Sequence, residues 1–332
     1  MNNFEYVRAT AVPDALGAVA QQAGSRFLAG GTTILDLMKC GVEAPSVLID
    51  ITRLPDLDTI EVGPTSVRIG ALSKMSDVAD HPTIRQNFPV LSESLWRGAS
   101  AQLRNMATIG GNLMQRTRCS YFREPAVYGA CNKRNPGSGC AAFDGITRSH
   151  AILGTSPSCI ATHPGDFAVA LVAFDATVLV EDGQPQRRFS IDDFFPLPGD
   201  TPDVEHPLSP GELIVAVEVP TSQALRRSHY LKVRDRESYE FATASAAVGV
   251  ELEADGRTIR DVRVALGGIA TRPWRARTVE AALVGRTFDE PTIRVASRFA
   301  TEGAVDHGEN RFKIDLAPRV VARALLTVGG IT

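Results

Sequence analysis

The sequence predicts an α+β chain: two small α/β units followed by a small antiparallel sheet covered by helices. Three observations carry that prediction. A strand-like run at 26–29 leads into Gly30-Gly31, then a helical start at 34–39 and a second strand-like run at 47–51, the order of a β-α-β unit. Residues 229–233, 244–253 and 259–266 read as strands, the last two joined by a turn at Asp255-Gly256, as in a meander. Three helical patterns follow, at 273–283, 291–304 and 313–326, and would cover that sheet. With 332 residues, the chain can bury its own cores without disulfides or a structural metal.

Taken in order, Ala15, Leu16, Val19 and Ala20 fall at helical spacing, and the run ends at Gly24. The glycines after the strand at 26–29 let the backbone approach a ligand closely. The N–H groups at the start of the next helix then point at an anion. Residues 67–71 read as a short strand and 75–79, 90–96 and 99–106 as helical, feeding Thr108-Ile109-Gly110-Gly111-Asn112. A single Gly-Gly is weak; two, each flanked by threonine, point together to a phosphate. Asp166 opens an apolar helix at 166–171, where its carboxylate reads as a cap. Residues 177–181 and 188–191 read as strands joined by a turn that begins at Asp182-Gly183. A Pro- and Asp-rich loop at 197–211 precedes an alternating strand at 212–219. A boundary within 222–227 divides the chain into domains 1–222 and 223–332.

Four of the five cysteines, Cys119, Cys131, Cys140 and Cys159, stand in residues 116–162, a long segment of little periodicity that reads as either disordered or functional, with the concentration of cysteines favouring function. Their wide spacing contains no CxxC pair, so it does not fit a zinc ribbon or finger. An odd count, with Cys40 far from the rest, argues against a disulfide framework. Four sulfurs in one loop are compatible with an iron–sulfur cubane, the alternative being scattered thiols. Thirty-five basic and 38 acidic residues without a Lys/Arg block give no support to a nucleic-acid surface. The longest apolar stretch, 167–180, is too short for a membrane span and contains Asp175. The N-terminus lacks the basic and apolar regions of an export signal. The six histidines form no metal-spaced pair and no Ser/His/Asp arrangement stands out, so no catalytic acid or base is expected.

The residues resemble the FAD-binding medium subunits of the molybdenum hydroxylases, the group of xanthine dehydrogenase, carbon monoxide dehydrogenase and the aldehyde oxidoreductases. The carriers are Phe4-Glu5-Tyr6, Leu28-Ala29-Gly30-Gly31-Thr32-Thr33, Thr108-Ile109-Gly110-Gly111-Asn112, Pro164-Gly165-Asp166, Leu213-Ile214-Val215 and Lys232. The resemblance implies FAD, its pyrophosphate held by the two glycine segments. Phe27, Leu28, Ala29, Gly30, Gly31, Thr32, Thr33, Thr108, Gly110, Gly111 and Asn112 would form the flavin loops. Thr108 and Asp166 would bond the sugar and phosphate portion, Ile214 or Val215 would pack on the isoalloxazine, Lys232 would lie near its polar edge, and Arg118 would approach it. Gly98 stands where xanthine dehydrogenases place an aromatic, with Trp96 a loose substitute.

The cysteine insertion resembles the flavin subunit of bacterial three-subunit aldehyde oxidoreductases. That resemblance implies a 4Fe-4S cluster on Cys119, Cys131, Cys140 and Cys159; a second branch, the aryl-CoA reductase flavin subunits, also carries a cluster insertion. The implied partners are a large molybdenum-cofactor subunit, a small 2Fe-2S subunit and an external electron acceptor. The implied compartment is the cytoplasm, or the periplasm by co-export with a signal-bearing partner. The competing readings are the flavin subunit of a related xanthine dehydrogenase, a stand-alone flavin oxidoreductase and a zinc-stabilised nucleotide-binding module.

Overall fold

The computed structural model describes residues 1–183 and 186–331. Strands β1 (Glu5–Arg8), β2 (Ser25–Leu28) and β3 (Val47–Asp50) form a parallel sheet in the order β1-β3-β2. The helices Val12–Gln21 and Ile34–Lys39 make its crossovers. The central strand, Val-Leu-Ile-Asp, is buried throughout, as a strand covered on both sides must be. Strand β1 was not legible from its pattern because it is a largely exposed edge. Its Tyr6 hydroxyl and Arg8 Nε (3.1 Å) instead bond the buried Asp50 carboxylate. Burial opposes that charge, yet Thr52, Tyr6 and Arg8 hold the carboxyl down to about 2.

Strands β4 (Ile60–Val62), β5 (Ser66–Gly70), β6 (Thr177–Glu181), β7 (Arg187–Ser190) and β8 (Leu213–Pro220) form an antiparallel sheet, β4-β5-β8-β6-β7. The expected β6–β7 pairing is present; the turn begun at Asp182-Gly183 runs into residues 184 and 185, outside the described residues. Met75–Asp80, Pro82–Asn87 and Pro89–Trp96 are helices, the middle one not anticipated from the sequence. They share a core with Asp166–Ala173, a helix in which all eight residues are buried.

Strands β9 (Ser228–Val233), β10 (Ala244–Leu252), β11 (Ile259–Gly267) and β12 (Trp274–Arg275) form the last sheet, in the order β12-β11-β10-β9. Alternate residues serve opposite faces. Tyr230, Ala247 and Ala265 join the core of the Asp166–Ala173 helix. Ala246, Val248, Val264 and Leu266 pack with the helices Arg277–Leu283, Glu290–Ser297 and Phe312–Gly329. The expected helix from 273 starts only at Arg277, because Trp274 and Arg275 pair with β11. From there the Arg275 guanidinium reaches Glu280, Asp175 and the Val172 carbonyl.

Asp166 is not a cap. Gly165 takes that position and no side chain caps the helix. The Asp166 carboxylate turns inward to Lys232 Nζ at 2.8 Å and accepts the Tyr230 hydroxyl at 2.7 Å. Tyr230 shares a further 2.9 Å hydrogen bond with Ser245, and Lys232 also donates to the Arg97 carbonyl at 3.0 Å. Burial pushes the Asp166 carboxyl upward, against Lys232 and Tyr230.

Residues 116–162 hold one helix, Ser120–Arg123, and otherwise turns, irregular chain and isolated β-bridges. Their ends meet where Thr117 Oγ1 donates to the Thr162 carbonyl at 3.0 Å. Inside the segment Arg134 donates to the carbonyls of Tyr121 (2.9 Å), Phe122 (2.8 Å), Tyr128 and Gly129. The buried Lys313 bridges the segment to the last sheet, donating to the carbonyls of His150 (3.0 Å) and Gly268 (2.7 Å). Among the described residues no helix is long and apolar enough to cross a membrane.

Lys232→Met leaves Asp166 buried without its cation and should cost about 3–5 kcal/mol in urea unfolding. Adding Asp166→Asn should recover part of that loss. A double variant no more stable than Lys232→Met would show that the pair is not coupled.

Candidate functional site

The parallel sheet and the β5–β8 sheet enclose a cavity of about 640 Å³, large enough for a dinucleotide-sized ligand. Gly30 fixes how closely its walls approach. A Cβ on residue 30 would lie 2.7 Å from the Met106 carbonyl carbon and nearer still to its oxygen, so only glycine fits. Gly31 follows at φ +74°, a left-handed turn into the helix at Ile34. Among the described residues the backbone N–H groups of Gly31, Thr32 and Thr33 meet no protein acceptor, which leaves them for an anion.

The second glycine pair behaves differently from expectation. It is not a loop but the first turn of a helix, Ile109–Leu113, capped by Thr108 Oγ1, which accepts from Gly111 N at 3.3 Å. Ile109 N donates to Ser73 and Gly110 N to Ala71, so these donors are already used. What this turn offers a ligand is close approach of a bare backbone.

Phe27, Ala29, Gly30, Gly31, Thr32, Thr33, Thr108, Gly110, Gly111 and Ile214 all line the cavity. Leu28, Asn112, Arg118, Asp166, Val215 and Lys232 are not in its lining. Strand alternation separates Ile214, on the cavity, from Val215, in the core of the parallel sheet. Asn112 points its amide to Met75 Sδ, 3.5 Å away. Arg118 stacks over Phe241 at 4.9 Å, with burial and then Arg123 driving its guanidinium down to about 10. Asp166 and Lys232 are spent on each other.

Residues with no sequence signature complete the walls: Gln22, Arg26, His163, Thr271, Arg272 and much of the proline-rich stretch from Pro196 to Gly211. The length and composition of that stretch were the only hint of it. Glu205 ties it across the cavity, bonding Arg116 and, at 2.9 Å, Lys133. Burial works against the Glu205 charge, but Lys133 and Arg116 outweigh it and hold the carboxyl below its ordinary range. Nine buried side-chain polar atoms among the described residues lack a partner, and four of them, on Gln22, His163, His206 and Arg272, belong to this lining. Unsatisfied polar atoms concentrated in one cavity suit a large polar ligand such as FAD.

Cys119, Cys131, Cys140 and Cys159 border one small void. Cys131 and Cys140 pair across an isolated bridge, and Cys119 opens the helix Ser120–Arg123. All are free thiols; burial pushes Cys119 up to about 12 and raises Cys140 and Cys159, so these three stay protonated unless a cation replaces the proton. Backbone N–H groups point at sulfur, Ala161 N lying 3.4 Å from Cys159 Sγ. His150 Nε2 lies 3.3 Å from Cys119 Sγ. Among the described residues no three His, Cys, Asp or Glu side chains converge as ligands of a single ion. Lys133, Cys159 and Ala161 line both the void and the large cavity, which therefore share a wall.

Burial drives His163 from its ordinary range down to about 4. Between about pH 6.5 and 4 the unfolded chain binds a proton there that the folded chain refuses, so stability falls as pH falls through that window. His163→Gln should flatten the decline of the thermal midpoint between pH 7 and 5; an unaltered slope would contradict this assignment.

Comparison with known proteins places this geometry. Residues 2–222 match the FAD-binding domain of molybdopterin dehydrogenases, and residues 229–328 match the carbon monoxide dehydrogenase flavoprotein C-terminal domain. The chain is 45% identical over 329 residues to the aldehyde oxidoreductase FAD-binding subunit PaoB of Escherichia coli K12, covering 98% of each. It is 27% identical to the carbon monoxide dehydrogenase medium chain of Hydrogenophaga pseudoflava, covering 97% of this chain and 96% of the other. Its fold superposes on a chain of carbon monoxide dehydrogenase from that organism, in the form lacking the molybdenum-pyranopterin moiety, with a TM-score of 0.76 at 26% identity, covering 99% of this chain and 98% of that one. A two-domain architecture, a glycine-walled cavity for FAD and near-complete coverage of relatives that are oxidoreductase subunits lead to one conclusion: the chain belongs to the FAD-binding medium subunits of the molybdenum hydroxylase family.

Proposed function

We propose that this chain is the FAD and 4Fe-4S electron-transfer subunit of a molybdenum-dependent aldehyde oxidoreductase. It would take electrons from 2Fe-2S clusters on a small partner, after a large molybdenum-cofactor partner has oxidised an aldehyde, and deliver them to an external acceptor. The reading rests above all on the 45% identity, along nearly the whole chain, to a flavin subunit of that named activity. It takes the division near residue 222 as the boundary between the flavin domain and the second domain.

FAD, when bound, supplies the capacity to accept electrons one at a time and to release them singly or in pairs. The chain's part is binding and orientation. The free N–H groups of Gly31, Thr32 and Thr33 suit the diphosphate, and the bare backbone of Gly110 and Gly111 lets it approach. Ile214 offers an apolar surface to a ring, and the stretch fastened by Glu205 forms one wall of the cavity. The four cysteines around one void suit a cubane, whose thiolates stand farther apart than the ligands of one ion. Backbone N–H groups aimed at the sulfurs would favour the thiolate form that such a cluster needs. Arg118, Asp166 and Lys232, away from the cavity lining, hold the surrounding frame.

The visible spectrum of anaerobically purified protein, with iron and sulfide analysis, tests the proposal: flavin bands and an iron–sulfur shoulder are expected, and absence of both would sink it. Gly30→Ala should weaken FAD binding at least about tenfold in fluorescence titration, about 1.4 kcal/mol. Gly129→Ala, which meets nothing within 4 Å, should bind as before. Cys131→Ser should lose iron while keeping flavin, and Cys40→Ser should keep both; unchanged iron in Cys131→Ser removes the cluster assignment.

A further inference from the structure

His163 stands in the wall of the large cavity with one ring nitrogen committed and the other unused. Its Nδ1 accepts the Gly165 N–H at 3.2 Å, and its own backbone N–H donates to the Ala270 carbonyl at 3.0 Å. The ring packs edge-on against Phe195, centroids 4.7 Å apart, and a Cβ on residue 165 would come within 2.8 Å of its Cε1. Glycine at 165 therefore leaves room for the ring, which the Gly165 N–H and Phe195 hold in place. A neutral imidazole whose Nδ1 accepts must carry its proton on Nε2. That Nε2–H is buried and has no partner among the described residues. A buried donor without an acceptor keeps the full penalty of its lost hydration, so a site holding one is built for something that accepts.

We propose that the Nε2–H of His163 is a hydrogen-bond donor to an uncharged acceptor atom of bound FAD, and so a cofactor-positioning residue of this subunit. The inference rests on the reading of the cavity as a FAD site. An uncharged acceptor is favoured because the surroundings disfavour a charged ring. His163 is buried and feels Lys133 and Arg118, and only Glu205 acts in the opposite direction. Beside a diphosphate an imidazolium would be the fitting form, and the unpaired N–H groups at Gly31–Thr33 already serve that charge. The ring also lies four residues from Cys159, in the part of the wall that the cavity shares with the cysteine void. No other sequence feature marks it, since an isolated histidine beside a proline is commonplace.

The full chain, stripped of flavin and titrated with FAD or with FMN by flavin fluorescence, tests the assignment in three forms: unaltered, His163→Leu and His163→Gln. His163→Leu should raise the FAD dissociation constant about tenfold, and His163→Gln, which keeps an N–H, should restore most of it. A parallel loss with FMN places the acceptor on the flavin mononucleotide portion; loss with FAD alone places it on the adenosine portion. FAD binding by His163→Leu within about twofold of the unaltered chain overturns the proposal, as does a glutamine variant no better than leucine. Should His163→Leu fail to fold, the unaltered chain with 15N-labelled histidine decides: the His163 Nε2–H should exchange more slowly with solvent when FAD is added, and an unchanged rate overturns the proposal. An unaltered chain that binds no FAD overturns the cavity reading itself, whereas binding that is indifferent to residue 163 removes only the histidine.

Discussion

The contact between Gly30 and the Met106 carbonyl is the constraint on which the site depends. It is the point where the loop leaving the parallel sheet touches the chain leading into the helix Ile109–Leu113. The segment it touches is gripped on the other side too, as Lys74 Nζ donates to the Met106 carbonyl at 3.2 Å and Met75 N to Ala107 at 2.9 Å. Two sheets of different strand polarity are brought together at a residue with no side chain. Any carbon added at Gly30 would collide with the Met106 carbonyl and force the two segments apart. The flavin wall is thus set by backbone packing, and the polar side chains around it are arranged on a geometry fixed beforehand.

A second restraint lies on the far side of the Asp166–Ala173 helix. The Asp166–Lys232 pair, with Tyr230 and Ser245, fastens the first domain to the edge strand of the last sheet. Since that sheet packs the same helix on one face and the C-terminal helices on the other, the helix is held from all sides. An ion pair so enclosed adds little net stability over an apolar pair of similar volume, whereas loss of one partner strands a buried charge. The two members of this pair, Asp166 and Lys232, are residues to which the family resemblance would give a place at the cofactor.

Much of the fold could be read from the sequence because its elements follow simple periods. The β2–helix–β3 unit, the β10–β11 meander and the helix Phe312–Gly329 show alternation or helical spacing together with turn residues. The edge strand β1 and the two-residue β12 could not be read, because an exposed edge needs no apolar alternation and a two-residue pair has no period. In the site, the glycine segments were legible as close-approach backbone. That the second is a helix start whose donors bond Ala71 and Ser73 was not, since those partners lie more than thirty residues away in sequence. Asp166 illustrates the same limit: an aspartate at the head of an apolar helix reads as a cap, and only the position of Lys232 across the interface shows that it faces inward. His163, Glu205 and Arg272 reach the cavity from irregular segments, where periodicity carries no information.

The short junction where Thr117 meets Thr162 has a further consequence. Seen from the rest of the molecule, the cysteine-bearing segment starts and finishes at nearly one place, and inside it Arg134 gathers four carbonyls into a self-supporting knot. A segment with adjoining ends can be acquired or discarded in evolution without displacing the strands on either side, because its removal leaves only a short gap to rejoin. A flavin scaffold can therefore gain such a cysteine-bearing segment in one genetic step, and it meets the host fold at Lys313, at Ile152 and Leu153 in the core of the last sheet, and at the cavity wall by Cys159.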